Sequence, residues 1–135
     1  MKAAAFLSEL RTEVASHPAL HHPVLTWLAD EAVGREPFLA LGLQHYAMVG
    51  SFTSYLEDLL ITAPSSQEKI WIAKVLVDEY GEGSDGQDHA TLYQQFLGAA
   101  GGQSGEEFEV PLHPDVVGFV TEHQRLCRDE PFLVG

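Results

Sequence analysis

The chain has 135 residues, 45% of them hydrophobic, which is enough for one sizeable core, so a single domain over 1–135 is expected. Seven Lys and Arg stand against twenty Asp and Glu, and the formal charge of -13 argues against nucleic acid and anionic membrane surfaces as partners. Cys127 is the single cysteine, which removes an internal disulfide and a thiolate metal cage from consideration and fits a reducing, cytoplasmic setting.

The first residues do not read as a secretion signal, because Glu9, Arg11 and Glu13 interrupt the apolar start, and no run reaches the roughly 18 apolar residues of a membrane span. Phe6, Leu7, Leu10 and Val14 recur at helical spacing and predict an amphipathic helix over 2–15. The seven positions 17–23 hold His17, His21 and His22 together with Pro18 and Pro23. Three histidines suggest a metal tract, but each proline biases the residue before it out of the helical region, so a bent, solvated connector is expected. A short helix over 24–32 buries Val24, Leu25, Trp27 and Leu28, and Gly34 closes it.

A long central helix is expected over 36–62, with Phe38, Leu41, Tyr46, Val49, Phe52, Leu56 and Leu59 on a broad apolar face. His45 is its most notable polar member, a candidate for a pocket wall. Ser65 and Ser66 offer N-caps to a helix over 67–79, with Glu68 in its first turn. After the glycines at 81 and 83 a new helix begins near Asp88 and carries Leu92, Tyr93 and Phe96. The stretch 101–109 is expected to be a polar, flexible loop, and a last helix covers 115–129. No segment alternates as a strand does, so the expected fold class is all-α.

The chemistry concentrates between the two middle helices. Asp78 and Glu79 end one of them and His89 opens the other, so acidic groups and an imidazole meet at a helix break. A metal, an acid/base pair and a plain helix ending all fit that pattern. On one unbroken helix Glu79 and His89 would lie about 80° apart, after ten steps of about 100°. Glu82 and Asp85 would align better with His89, but two glycines make a continuous helix costly, at about 1 kcal/mol each. A bend at 81–83 would instead swing Glu79 and His89 together.

The pattern Asp78-Glu79-Tyr80-Gly81-Glu82-Gly83, followed by His89 and Leu92-Tyr93, resembles the Asp-Glu-x-Gly-x-Gly and His-x-x-Leu-Phe signature of the heme-oxygenase-like metal oxidases. These iron-containing redox enzymes are relatives of thiaminase-like and PqqC-like helical proteins. His17-Pro18, His22-Pro23 and Gln44-His45-Tyr46 with Val49 and Phe52 resemble the opening helices of that family. The resemblance implies a heme-oxygenase-like helical bundle that binds two iron ions, labile in some members, with manganese as a further candidate. It also implies the use of dioxygen to oxidise a small amino-acid-like or fatty-acid-like substrate. Carried over by position, Glu79 and His89 are the metal ligands; the central helix separately offers His45, Tyr46 and Phe52 as candidates for the substrate pocket, and no residue is assigned a catalytic role.

The family's other ligands, a glutamate on a later helix and a histidine and aspartate cluster on the last, fall beyond Gly135. Glu122, His123 and Glu130 are not taken as substitutes, since the adjacent Glu122 and His123 point about 100° apart and cannot both face one site. A fragment, a site completed by another chain and a member without the chemistry all remain open. An incomplete bundle exposes core, so a homodimer or helix swap is expected to cover it. Two rivals stand beside the oxidase: a non-catalytic helical dimerising or partner-binding module, and metal-free chemistry at Cys127, which reads more readily as a small core residue.

Overall fold

A computed structural model describes residues 3–29 and 33–132. All regular elements among the described residues are helical, and none of these helices is long and apolar enough to cross a membrane. The chain forms two compact units, Met1–Gly34 and Arg35–Gly135.

The first unit holds α1 (Ala3–Ser16), a 3-10 turn at Pro18–His21 and α2 (Pro23–Leu28). The histidine tract works here as capping. His17 Nδ1 accepts the Ala19 N–H and His22 Nδ1 accepts the Val24 N–H, both at 3.2 Å, each ahead of a proline at the first helical position. The helix expected over 24–32 stops at Leu28; positions 30–32 lie outside the described residues.

The second unit carries α3 (Arg35–Val49), α4 (Phe52–Thr62), α5 (Ser66–Glu79), α6 (His89–Ala99), α7 (Glu106–Glu109) and α8 (Pro114–Asp129). The long helix expected over 36–62 is therefore two helices. At the junction the Ser51 N–H donates to Met48 O, three residues back instead of four, and the Ser51 hydroxyl donates to Ala47 O at 2.8 Å. Gly50 adds backbone freedom at the same point, and the ladder breaks there. The loop expected over 101–109 contains the single turn of α7, whose Glu106 carboxylate accepts the Gln103 N–H at 2.9 Å.

α3 and α4 are the spine of this unit: α8 packs along both, α6 and α7 lie on α3, and α5 lies on α4. Two small cores result. Leu43, Tyr46 and Leu97 join α3 to α6, and Ala63, Ile72 and Leu76 join α4 to α5. The first crossing is close because Gly42 faces Leu97: a Cβ there would stand 2.9 Å from Leu97 Cδ2. Polar ties fix the register. The Arg35 guanidinium donates to the last carbonyls of α6 at Ala99 and Ala100, where a helix end favours a cation. Gln44 binds Pro111 O and the His113 N–H at 3.0 and 2.8 Å, which anchors the entry to α8. Tyr55 donates to Val120 O at 3.3 Å.

Cys127 is 6% exposed in the face of α8 that meets the spine, and burial pushes its thiol above the usual range. Since the thiolate is the reactive form, alkylation requires a higher pH than an open cysteine does. Iodoacetamide at pH 8 is therefore expected to label the folded chain at least about tenfold more slowly than the chain in guanidinium. Equal rates would place Cys127 at the surface and reopen it as a nucleophile.

Candidate metal centre

The site is set by how α5 ends and how α6 begins. The Glu82 N–H reaches Val77 O at 3.2 Å and the Gly81 N–H reaches Asp78 O at 2.9 Å, the two bonds of a Schellman ending with Gly81 at φ +93°. The chain then reverses through Ser84–Gln87, where Asp85 and Gly86 both have positive φ, as a type I′ turn requires. The Gly86 N–H returns to Gly81 O at 3.0 Å and closes the loop on itself. Asp88 caps α6: its carboxylate accepts the Thr91 N–H at 2.6 Å, and that bond holds it below the usual carboxylate range.

Glu79 is thus the last residue of α5 and His89 the first of α6, and the tight loop brings them together. His89 Nδ1 lies 2.8 Å from Glu79 Oε2, with side chains 39% and 14% exposed. The break is complete and is not a bulge inside one helix. Its φ-constrained positions are Gly81, Asp85 and Gly86, while Gly83 has an ordinary φ.

The pair stands on the wall of a cavity of about 620 Å³. α3 and α4 supply His45, Met48, Val49 and Phe52 at spacings of three and four, together with Tyr55. α6 adds Leu92, Tyr93 and Phe96, and α8 adds Phe119 and His123. The helical face therefore runs on across the α3–α4 junction. Burial raises the Tyr55 and Tyr93 phenols above their ordinary range, so both are neutral at physiological pH.

Of the residues read from sequence, His45 and Phe52 line the cavity with Glu79 and His89, and Tyr46 does not. Tyr46 sits about 100° round the helix from His45. It is 7% exposed in the α3–α6 core, where its hydroxyl accepts Gln94 Nε2 at 2.9 Å. Tyr55, Tyr93 and His123 are wall residues that the sequence reading did not assign. Of the neighbours Glu122 and His123, only His123 faces the cavity, while Glu122 pairs with Arg125 at 2.8 Å. The outer carboxylates are occupied as well: Glu57 accepts the Tyr80 hydroxyl, and Asp58 accepts Gln124.

A carboxylate and an imidazole are the donor types that hard, redox-active metals take. At 2.8 Å the Nδ1–Oε2 contact is an N–H···O hydrogen bond, which brings both donor groups to one point of the wall and leaves Nε2 as the ring nitrogen with a lone pair. The carbonyl end of α5 adds negative potential beside Glu79, which favours a cation. In donor type the pair fits iron. Among the described residues, no group of three or more His, Cys, Asp or Glu side chains is assembled for a metal.

The sequence model of the family described as iron-containing redox enzyme matches residues 40–135, a segment that contains the cavity, the Gly81 turn and both members of the pair. The chain belongs to this family. Its all-α second unit is the heme-oxygenase-like fold of the iron-containing redox enzymes. No curated protein and no solved structure matches the chain.

Proposed function

We propose that this iron-containing redox enzyme binds iron through Glu79 and His89 in a di-iron centre and uses dioxygen to oxidise a small organic substrate held in the adjoining cavity. The observation that carries this reading is the 2.8 Å convergence of Glu79 and His89 on a largely aromatic cavity inside the family segment. Iron bound there would supply the one-electron chemistry that ground-state dioxygen needs to react with a closed-shell molecule. The protein's own part is to orient the substrate. Phe52, Phe96 and Leu92 offer it an apolar bed, and His45 is the polar wall group for a head group, since the Tyr55 and Tyr93 hydroxyls already donate to Val120 O and Gly42 O. An amino-acid-like or fatty-acid-like molecule has that division into apolar body and polar end.

The deciding experiment adds Fe(II) anaerobically to the purified chain, then oxygenated buffer, and follows oxygen uptake and the optical spectrum. Uptake well above that of free Fe(II), with a protein-bound chromophore, is expected; a chain that retains no iron on desalting sinks the reading. Mn(II) in place of Fe(II) tests the second metal.

A second reading, a non-catalytic helical dimer on the same fold, draws on the surface of α4 and α5. Ile61 is 75% exposed and Trp71 62%, with Ile70, Val75 and Val77 also open to solvent. Such a patch is commonly covered in an oligomer. Light scattering that finds a dimer, together with absent metal binding, would favour this reading over the first.

A further inference from the structure

We propose that the cavity beside Glu79 and His89 continues past Met48 into a second cavity, and that the two together hold one unbranched aliphatic chain. The proposal deepens the substrate reading of that cavity and rests on it, but it asks nothing of the metal.

The second cavity, of about 320 Å³, lies between α3 and α8, with Leu41 and Gln44 on one side and Asp115 and Val116 on the other. His45, Met48 and Phe119 line both this cavity and the larger one, so the two have a common wall. Their linings advance together along the helices, from Leu41 and Asp115 through Met48 and Phe119 to Tyr55 and His123. That path is long and narrow, roughly 20 Å from Leu41 to Tyr55 at the rise of a helix. Joined, the two volumes stay within the range of about 300–1,000 Å³ usual for small-molecule sites. Two of the three shared side chains are held in place: Phe119 stacks on His123 at 3.8 Å, and His45 packs against Tyr93 at 5.6 Å. Met48 is half-buried and unbranched, with three rotatable bonds, so it is the part of the wall that yields.

The chemistry of the second cavity selects its occupant. Both ends of the Gln44 amide are already bonded, to Pro111 O and to the His113 N–H. Asp115 stands at the rim, its side chain 92% exposed and 3.5 Å from His113 Nδ1, and its charge repels an anionic head group. What remains is hydrocarbon from Leu41, Met48, Val116 and Phe119. The second cavity therefore takes the apolar end of a ligand, and the polar end stays in the first, where His45 can meet it. A compact amino-acid-like molecule has no such tail, so the pair of cavities favours the fatty-acid-like substrate.

Unbranched alcohols from hexanol to dodecanol are the probe, with no metal added, so the outcome does not depend on Glu79 and His89 as ligands. Their affinities for the full chain are measured by displacement of a fluorescent apolar dye. In the parent, affinity should climb about fourfold with each added methylene through dodecanol. Met48 is one of two methionines, and the resonance of its isotope-labelled methyl group should shift as dodecanol binds. Leu41→Trp and Val116→Trp each fill the second cavity from residues that do not line the first. Each should weaken dodecanol about tenfold or more and leave hexanol within about twofold, with helical content checked by circular dichroism. If affinity stops rising among the shorter alcohols, if the Met48 methyl does not respond, or if both folded variants bind dodecanol as the parent does, the chain ends in the first cavity. The proposal then fails while the larger cavity keeps its role as the substrate site. A parent that binds none of the alcohols overturns the proposal and the apolar substrate bed together.

Discussion

Replacing Gly81 by alanine is expected to destabilise the protein by roughly 2–5 kcal/mol, the largest effect of any single added methyl in the loop. Gly81 has φ +93°, a region that costs a residue with a Cβ about 1–2 kcal/mol by itself. The added Cβ would also stand 2.4 Å from Gln87 O and 2.5 Å from Gln87 C. Those are backbone atoms, so no side-chain rotation relieves the contact, and the turn that closes on Gly81 O has to open. Gly83→Ala is the control: it has no positive φ, and its Cβ would meet only Asp78 Oδ1 at 3.5 Å, so its effect should stay within about 1 kcal/mol. Denaturant unfolding of the two variants measures the difference. Equal midpoints would mean that the turn is not built as described. Because the turn carries Glu79 to His89, Gly81→Ala should also weaken metal binding in whatever fraction remains folded.

That contrast marks how far the sequence could be read. The existence and ends of α5, α6 and α8 follow from apolar period and capping: Ser65 Oγ accepts the Gln67 N–H at 3.2 Å and also bonds to the Glu68 carboxylate, while Asp88 caps α6. The two glycines signalled a break, but only the hydrogen-bond pattern separates the indispensable Gly81 from the replaceable Gly83. The α3–α4 junction was hidden for a related reason. His45, Met48, Val49 and Phe52 keep one helical face through it, so periodicity carries no trace of the break at Ser51.

Side-chain direction was legible only in part. A step of about 100° turns Tyr46 away from His45 and Glu122 away from His123, but neighbours can share a wall, as Met48 and Val49 do, and Leu92 and Tyr93. Which member of each pair faces inward depends on where α6 and α8 pack, and no local rule supplies that. α7 escaped because one turn is too short to display a period.

Loss of either member of the pair should abolish tight iron binding, with Glu79→Ala and His89→Ala each weakening Fe(II) by more than about 100-fold. The magnitude follows from the usual cost of removing an outer-sphere partner, about 10–100-fold, which a direct ligand should exceed. Glu79→Gln separates the two ways in which the 2.8 Å contact can work. The amide keeps an oxygen that can accept the His89 N–H but lacks the negative charge. If Glu79 binds the metal directly, glutamine should bind nearly as poorly as alanine. If Glu79 only orients His89, glutamine should retain most of the affinity. A double-mutant cycle adds a check that does not depend on absolute values. Residues on one metal act as a unit, so the loss in the double variant should fall well short of the sum of the single losses. Fully additive losses, or parent-like binding in either single variant, would remove the shared metal from Glu79 and His89 and leave their contact a structural ion pair at the junction of two helices.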